Sequence, residues 1–434
     1  MSSLRSRSRE LTPGAVGAIG RSLLPLLIGI VLAIALQFGA KPVLGAITEG
    51  ADYWAKILLD VLTGIILAVS LTMVNGFTGQ FSIGHAAFMA VGAYTAACIV
   101  YYGSFRIWGD AAVHGGTLST MIESRTGSLL GPGDLLFLAA LLAGGVTASI
   151  CGYLVGLPSL RLKGDYLAIV TLGFGEIVRV TIQQTTDTLY DPEEIAAMPA
   201  WKFPKYIGGG LGFSGLPFYT SLFWAGLFAA ITLIVAFRLK TSSAGRAFLS
   251  IREDEIAAES MGVHTTRYKV RAFVLAAFFA GIAGGLFAHT NGVQLNPTEL
   301  GFMKSFDIII MVVLGGLGSI SGASIAAAIL AVLSEFLREP PSVWPVGLVA
   351  GVVFALLAAP FAKNRLRPAV YVALVLGGWE LVRWLAGVAD IKLSDYRMVI
   401  YALALVGMMI IRPQGLLGIK EIWELRPVKG RWRL

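Results

Sequence analysis

From Leu23 onwards the chain alternates long apolar runs with short polar breaks. A helix needs about 20 mostly apolar residues to cross the hydrocarbon core of a bilayer, and somewhat fewer where it is broken. On that criterion the pattern predicts spans at 23–39, 57–74, 86–102, 135–157, 166–184 and 218–237. A second set follows at 272–290, 302–317, 323–337, 343–362, 370–385 and 396–411. The expected fold class is all-α, a polytopic helical membrane protein of about 12 spans with discontinuous helices.

Composition agrees with a membrane setting. Of 434 residues 56% are hydrophobic and only 14% charged, too few polar side chains to cover a water-soluble globule of this length. The net charge of +8 changes the picture through its distribution. Lys and Arg fall in short clusters between apolar runs and form no continuous stripe, which argues against nucleic acid as a partner. Basic residues near span ends resist translocation, so the clusters mark cytoplasmic segments. With the N-terminus inside, those segments carry Arg161 and Lys163, then Arg238, Lys240, Arg246, Arg252, Arg267, Lys269 and Arg271. Lys363, Arg365 and Arg367 follow, then a basic tail from Arg412 to Arg433. One span more or fewer would invert every later loop, so the pattern predicts an even count with both termini cytoplasmic. No small-x-small cleavage site follows the first apolar run, which reads as a retained span. Cys98 and Cys151 lie inside apolar segments and read as packing residues. Two long polar segments, 103–134 and 185–217, land outside, each long enough to dock a partner or cap a pore.

Three stretches invite chemistry. The first is NGFTGQFSIGHAAF, beginning at Asn75 between two apolar runs. Its glycines permit a turn or an unwound segment, and Asn75, Thr78, Gln80, Ser82 and His85 have the polar groups to line a path. Irregular backbone at membrane depth is tolerated only where protein or a water-filled cavity surrounds it, and such breaks build substrate sites in transporters. An ordinary cytoplasmic turn between two spans accounts for the same residues, and a structural, hydrogen-bonded role accounts for His85.

The second stretch is YLAIVTLGFGEIVRV, from Tyr166, which sets Glu176 and Arg179 one helical turn apart near mid-span. Ionisable groups at that depth face a bundle interior or a pore, and a spacing of three lets this pair neutralise itself. Gly173 and Gly175 invite close helix approach. Asp307 raises the same pathway hypothesis in a later span. The third is AGRAFLSIREDEIAAESMGVHTTRYKV, from Ala244. Ile251, Glu255, Ala258 and Met261 recur at helical spacing beside Arg252, Glu253, Asp254 and Glu259, which predicts a short amphipathic helix ending near Gly262. Acids outnumber bases there, which favours a protein partner over a membrane surface. No G-x-x-x-x-G-K-[ST] loop, His-Glu-x-x-His or paired-Cys motif occurs, so nucleotide chemistry has to come from another chain.

Together these stretches resemble the membrane permeases of branched-chain amino acid ABC importers, in particular the LivM type. The resemblance rests on NGFTGQFSIGHAAFMAVGAYTAA from Asn75, LRLKGDYLAIVTLGFGEIVR from Leu160 and the run GRAFLSIREDEIAAESMGVHTTRYKV from Gly245. It continues in LGGLGSISGASIAA from Leu314 and DYRMVIYALALVGMMIIRPQGLLG from Asp395. The resemblance implies a transport subunit in a bacterial cytoplasmic (inner) membrane, surrounded by lipid, with no ATPase site and no cofactor of its own. Its implied partners are a second homologous permease, two cytoplasmic ATPases that hold ATP and Mg, and an extracytoplasmic substrate-binding protein. Glu255, Ala257, Ala258 and Gly262 match the family's E-x-A-A-x-x-x-G loop, so 252–262, with Arg252, Glu253, Asp254 and Glu259, is expected to couple to the ATPases. The implied substrates are leucine, isoleucine and valine, with relatives for other amino acids, urea and short amides.

The expected layout is a cytoplasmic segment at 1–22, a permease core at 23–338 with a coupling loop at 240–271, a last span at 393–411 and a basic tail at 412–434. Between core and last span the chain departs from the family pattern. Residues 339–392 add a hairpin of two spans, expected at the periphery. Two alternatives stay open at this point: a permease for urea or short amides, and a gradient-driven secondary transporter using Glu176, Arg179, His85 or Asp307 as ion sites.

Overall fold

The computed structural model of the protein describes residues 13–47, 50–119, 128–159, 166–290, 294–338, 399, 403, 406, 410 and 414–424. The principal helices are α1 (Pro13–Ile47), α2 (Ala51–Leu71), α3 (His85–Trp108), α4 (Pro132–Ser159) and α5 (Tyr166–Gln183). They continue with α6 (Pro192–Ala197), α7 (Leu222–Thr241), α8 (Ser243–Glu253), α9 (Glu255–Ser260), α10 (Thr265–Ala288), α11 (Phe302–Gly315) and α12 (Ile320–Arg338). Among the described residues there is no β-strand beyond an isolated bridge between Phe213 and Leu295. Seven of the described helical stretches are long and apolar enough to cross a membrane.

Seven of the predicted spans map onto membrane-long helices among the described residues, and two do not. The run at 323–337 falls in α12, whose apolar part, Ile320–Ser334, is shorter than a span. The run at 302–317 is α11, whose 14 residues reach about 21 Å at 1.5 Å per residue, short of a core about 30 Å thick. Glycines at 315, 316 and 318 end it early, and α12 starts afresh at Ile320. The proposed hairpin spans 343–362 and 370–385 lie outside the described residues, as does most of 396–411.

In lipid, helices gain no hydrophobic advantage from associating, so close backbone contact through small residues carries much of the packing. That contact occurs where α3, α4 and α10 meet. A Cβ on Gly92 would lie 2.2 Å from the Gly281 carbonyl, and one on Gly144 would lie 2.7 Å from the Gly92 carbonyl. The expected approach at Gly173 and Gly175 is not used: Gly173 has no neighbour within 4 Å, and Gly175 meets Ala87 only at ordinary contact distance. Around this centre α2 packs on α7, α10 and α12, while α1 lies along α7 and α5 rests on α3 and α4. The outer side of α5, with Tyr166, Ile169 and Ile177, stays exposed.

One end of the bundle carries an ordered cap where the sequence suggests long polar loops. Half of that reading shifts because α3 runs on to Trp108 and α4 begins at Pro132. The second segment holds α6 and two 3-10 turns, Ala200–Lys205 and Gly209–Leu211. Aromatic packing fixes it to the end of α3: Tyr102 stacks on Phe203 at 4.3 Å, and Tyr101 meets Phe213 edge-on at 5.2 Å. Hydrogen bonds complete the cap. Buried Asp134 accepts from the amides of Gly116 at 2.8 Å and Gly131 at 2.7 Å, and Trp224 Nε1 donates to Ser119 Oγ at 2.6 Å.

Candidate coupling site and substrate path

At the opposite end α2 widens into a π turn, Thr72–Gly76, and the chain crosses to the start of α3 at His85. The stretches on either side, Ala51–Gly76 and His85–Trp108, have 26 and 24 residues, so each is long enough to span by itself. The break therefore joins two full-length helices at their ends, the turn arrangement, and interrupts neither.

Its polar side chains hold the turn together. Thr72 and Thr78 donate their hydroxyls to the carbonyls of Ala68 and Val74, both at 2.8 Å. Asn75 Oδ1 accepts from the Ser82 amide at 3.2 Å, and His85 Nε2 lies 2.8 Å from Ser70 Oγ. Two further bonds tie the turn to its neighbours: the Ile83 amide donates to Thr171 Oγ1 of α5 at 3.2 Å, and the Ala86 amide to Ser305 Oγ of α11 at 3.3 Å. Asn75, Thr78, Ser82 and His85 are buried, Gln80 is half-buried, and Phe81 is exposed.

The Glu176 and Arg179 pair forms as the spacing requires. Arg179 Nε and Nη2 both approach Glu176 Oε2 at 2.8 Å, and Nη1 donates to Gln183 Oε1 at 2.9 Å. Both side chains are partly exposed, on a helix whose outer face is open. Thr171, which contacts the break, lies nearer the start of α5, so the structure sets the ion pair apart from the break along this helix. Asp307 lies elsewhere. With Asp60 and Lys304 it lines a cavity of about 250 Å³ between α2, α11 and α12. Hydropathy gave no reason to single out Asp60 or Lys304, since each is a lone charge in or beside an apolar run.

The segment from Ala244 folds as two helices where one is predicted. Ser242 accepts from the Gly245 amide at 3.1 Å and starts α8; the chain then extends at Asp254, with φ −157°. Asp254 Oδ1 accepts from the amides of Ile256 at 2.9 Å and Ala257 at 3.0 Å, so this residue ends one helix and caps the next. Gly262 closes α9 with φ +83°, its amide bonded to the Glu259 carbonyl at 2.9 Å. That left-handed conformation is one that glycine adopts without penalty.

The acids here have internal duties. Glu255 pairs with the buried Lys269 Nζ of α10 at 2.6 Å, and Glu259 Oε1 accepts from Thr265 Oγ1 at 2.6 Å. With Asp254 spent on the cap, the acid excess does not bear on the choice of partner. Ile251 and Ala258 face inward as the spacing implies, but Met261 is 85% exposed and Ile256 73%. The outward surface of α9 thus offers Ile256, Ala257 and Met261 beside the exposed Glu259 and Ser260, with Glu253 exposed nearby. Arg252 turns the other way and donates through Nη1 to the carbonyls of Gly76 at 2.8 Å and Leu317 at 3.3 Å. Of the expected coupling residues, it is the one that reaches the break.

Comparison with known proteins gives a consistent picture. Residues 53–358 match the family described as branched-chain amino acid transport system / permease component. The high-affinity branched-chain amino acid transport system permease protein LivM of Salmonella typhimurium is 32% identical over 351 residues, covering 77% of this chain and 73% of that protein. LivM of Escherichia coli is 32% identical over 353 residues with the same coverage. The high-affinity branched-chain amino acid transport system permease protein LivH of Escherichia coli is 26% identical over 271 residues, covering 62% of this chain and 80% of that protein. No solved structure matches.

Proposed function

This chain belongs to the family of permease components of branched-chain amino acid transport systems, and from that membership we propose how it works. It is a multi-pass membrane permease of an ABC importer for branched-chain amino acids. In the proposed assembly it pairs with a second, LivH-like permease in a bacterial inner membrane. Two cytoplasmic ATPases bind the ATP and Mg, and an external binding protein delivers the substrate.

The observation that carries the mechanical part is α9. Tied inward through Glu255 and Glu259, it presents Ile256 and Met261 to whatever lies beyond it. A short helix that offers exposed apolar residues, with its two glutamates engaged by Lys269 and Thr265, suits a groove on a protein. Nucleotide binding closes the ATPases, α9 of each permease moves with them, and the pair shifts between states open to opposite faces. Substrate descends between the permeases, along the open face of α5 with Glu176 and Arg179, and past the break. There Gln80 faces the route, while Asn75, Thr78, Ser82 and His85 shape the turn from within.

The test is uptake into vesicles holding this chain with its second permease and ATPases, supplied with binding protein and ATP. Radiolabelled leucine, glutamate and urea are compared. ATP-dependent accumulation of leucine is expected; preference for urea would move the protein to the short-amide class.

A further inference from the structure

The turn between α11 and α12 is a meeting point of segments far apart in sequence. Arg252 of α8 holds the Leu317 carbonyl there together with Gly76 of the π turn. From the end of α7, Lys240 Nζ donates to the Gly318 carbonyl at 2.9 Å and reaches Glu421 Oε1 at 2.6 Å. Residues 414–424 lie against the same turn, with the amides of Leu416 and Leu417 bonded to the carbonyls of Leu314 at 2.9 Å and Gly315 at 3.2 Å. Little space is left between these parts: Gly318 has φ +100°, and a Cβ there would stand 2.6 Å from Arg252 Nη1.

Glu421 is the centre of this joint. Its side chain is 2% exposed, and it accepts from the amides of Ile320 at 3.1 Å and Ser321 at 2.9 Å and from the Ser321 hydroxyl. Those amides belong to the first turn of α12, which has no partners for them within the helix, and a negative charge is favourable at that end of the helix dipole. Burial raises the Glu421 pKa, but Lys240, Ser321 and the Ile320 amide more than offset it, so the carboxyl sits below its usual range. The stability it contributes is complete above the ordinary carboxylate range and is lost only as pH falls through the depressed value.

We infer that residues 414–424 are a latch that holds the α11–α12 turn rigid, so that Arg252 passes the displacement of α8 and α9 on to the end of α2. Arg252, Lys240 and Glu421 are then positioning residues of the coupling path, remote from the surface α9 offers to its partner. One guanidinium grips two carbonyls on different elements, and it moves the break only if the second grip does not yield. The inference rests on the reading that α8 and α9 receive the ATPase motion.

The test uses the assembled transporter in vesicles, with Cys98→Ala, Cys151→Ala and Phe81→Cys as the parent. Phe81 is an exposed side chain of the break, and the maleimide labelling rate of the Phe81→Cys parent is read with and without ATP and vanadate. In the parent, nucleotide is expected to change that rate several-fold. Glu421→Gln and Arg252→Lys should remove the change while the ATPases still co-purify and hydrolyse ATP. Leucine moved per ATP should fall about tenfold. The exchange Lys240→Glu with Glu421→Lys should not restore coupling, because the Ile320 and Ser321 amides need an acceptor. A parent whose Phe81→Cys ignores nucleotide, variants that keep the response and the transport ratio, or restoration by the exchange would each overturn the latch. Loss of the ATPases from both variants would also overturn it, by reducing these residues to assembly. Failure of ATP-driven leucine uptake by the wild-type assembly would instead remove the functional reading.

Discussion

Glu255 and Gly262 illustrate how single residues fix the position of α9, the proposed coupling helix. The Glu255 carboxylate is partly open to water, and an exposed ion pair would contribute little. Its partner Lys269 is 3% exposed, so loss of the carboxylate strands a buried ammonium, a different and larger cost. Glu255→Gln, which keeps an acceptor, should therefore lower stability by about 1 kcal/mol, whereas Glu255→Lys sets two like charges together and should displace α9. Gly262→Pro acts on the other end. Its ring fixes φ near −65° where the chain needs +83°, and the bond to Glu259 is lost, a change costing about 3 kcal/mol. Both Glu255→Lys and Gly262→Pro are expected to separate hydrolysis from transport: leucine uptake falls about tenfold while the assembly still hydrolyses ATP. Paired measurement on one vesicle preparation checks this. Unchanged uptake in both variants would remove the coupling role of α9.

At the scale of elements, α9 behaves as a small plug whose outward residues carry no duty inside this chain. Ile256→Asp and Met261→Asp should leave the bundle intact, because both side chains point away from it. Retention of the ATPases in detergent should drop sharply, measured by co-purification beside an unchanged thermal midpoint; full retention would put the contact elsewhere. This helix also shows what the sequence made legible. Its existence and its stop at Gly262 were readable because periodicity and glycine act locally. The break at Asp254 was not, since an aspartate serves a helix interior or a cap depending on what the chain does next. Long apolar runs located seven spans among the described residues for the same local reason, while their ends shifted where helices continued into polar sequence, as α3 does to Trp108. The contacts of Arg252 with Gly76 and of Lys240 with Glu421 link positions more than 170 residues apart in sequence. No local pattern encodes them. The one available hint was a run of glycines after α11, which foretells a tight turn and leaves open what packs on it.

For the molecule as a whole, the question is where the work of transport is done. A gradient-driven transporter needs an ion site that opens alternately to both faces within one chain. Here Glu176 is already neutralised by Arg179 on its own helix, and His85 is buried against Ser70 in a turn that joins two span ends. Both residues have their partners in place, and using either as a proton site would require breaking a contact that holds its element. In the proposed assembly the energy enters through a surface that meets the ATPases, and α9 offers one. The open face of α5, by the same reasoning, needs a neighbour before it can enclose a path. Vesicles containing only this chain should accordingly show neither accumulation of leucine under an imposed proton or sodium gradient nor counterflow exchange. Adding the ATPases without the second permease should not rescue uptake, because half of the path's wall is then lipid. Accumulation by the lone chain would mean that a complete path and an ion site exist inside a single copy, and Glu176→Gln and His85→Ala would then be the variants that locate the ion.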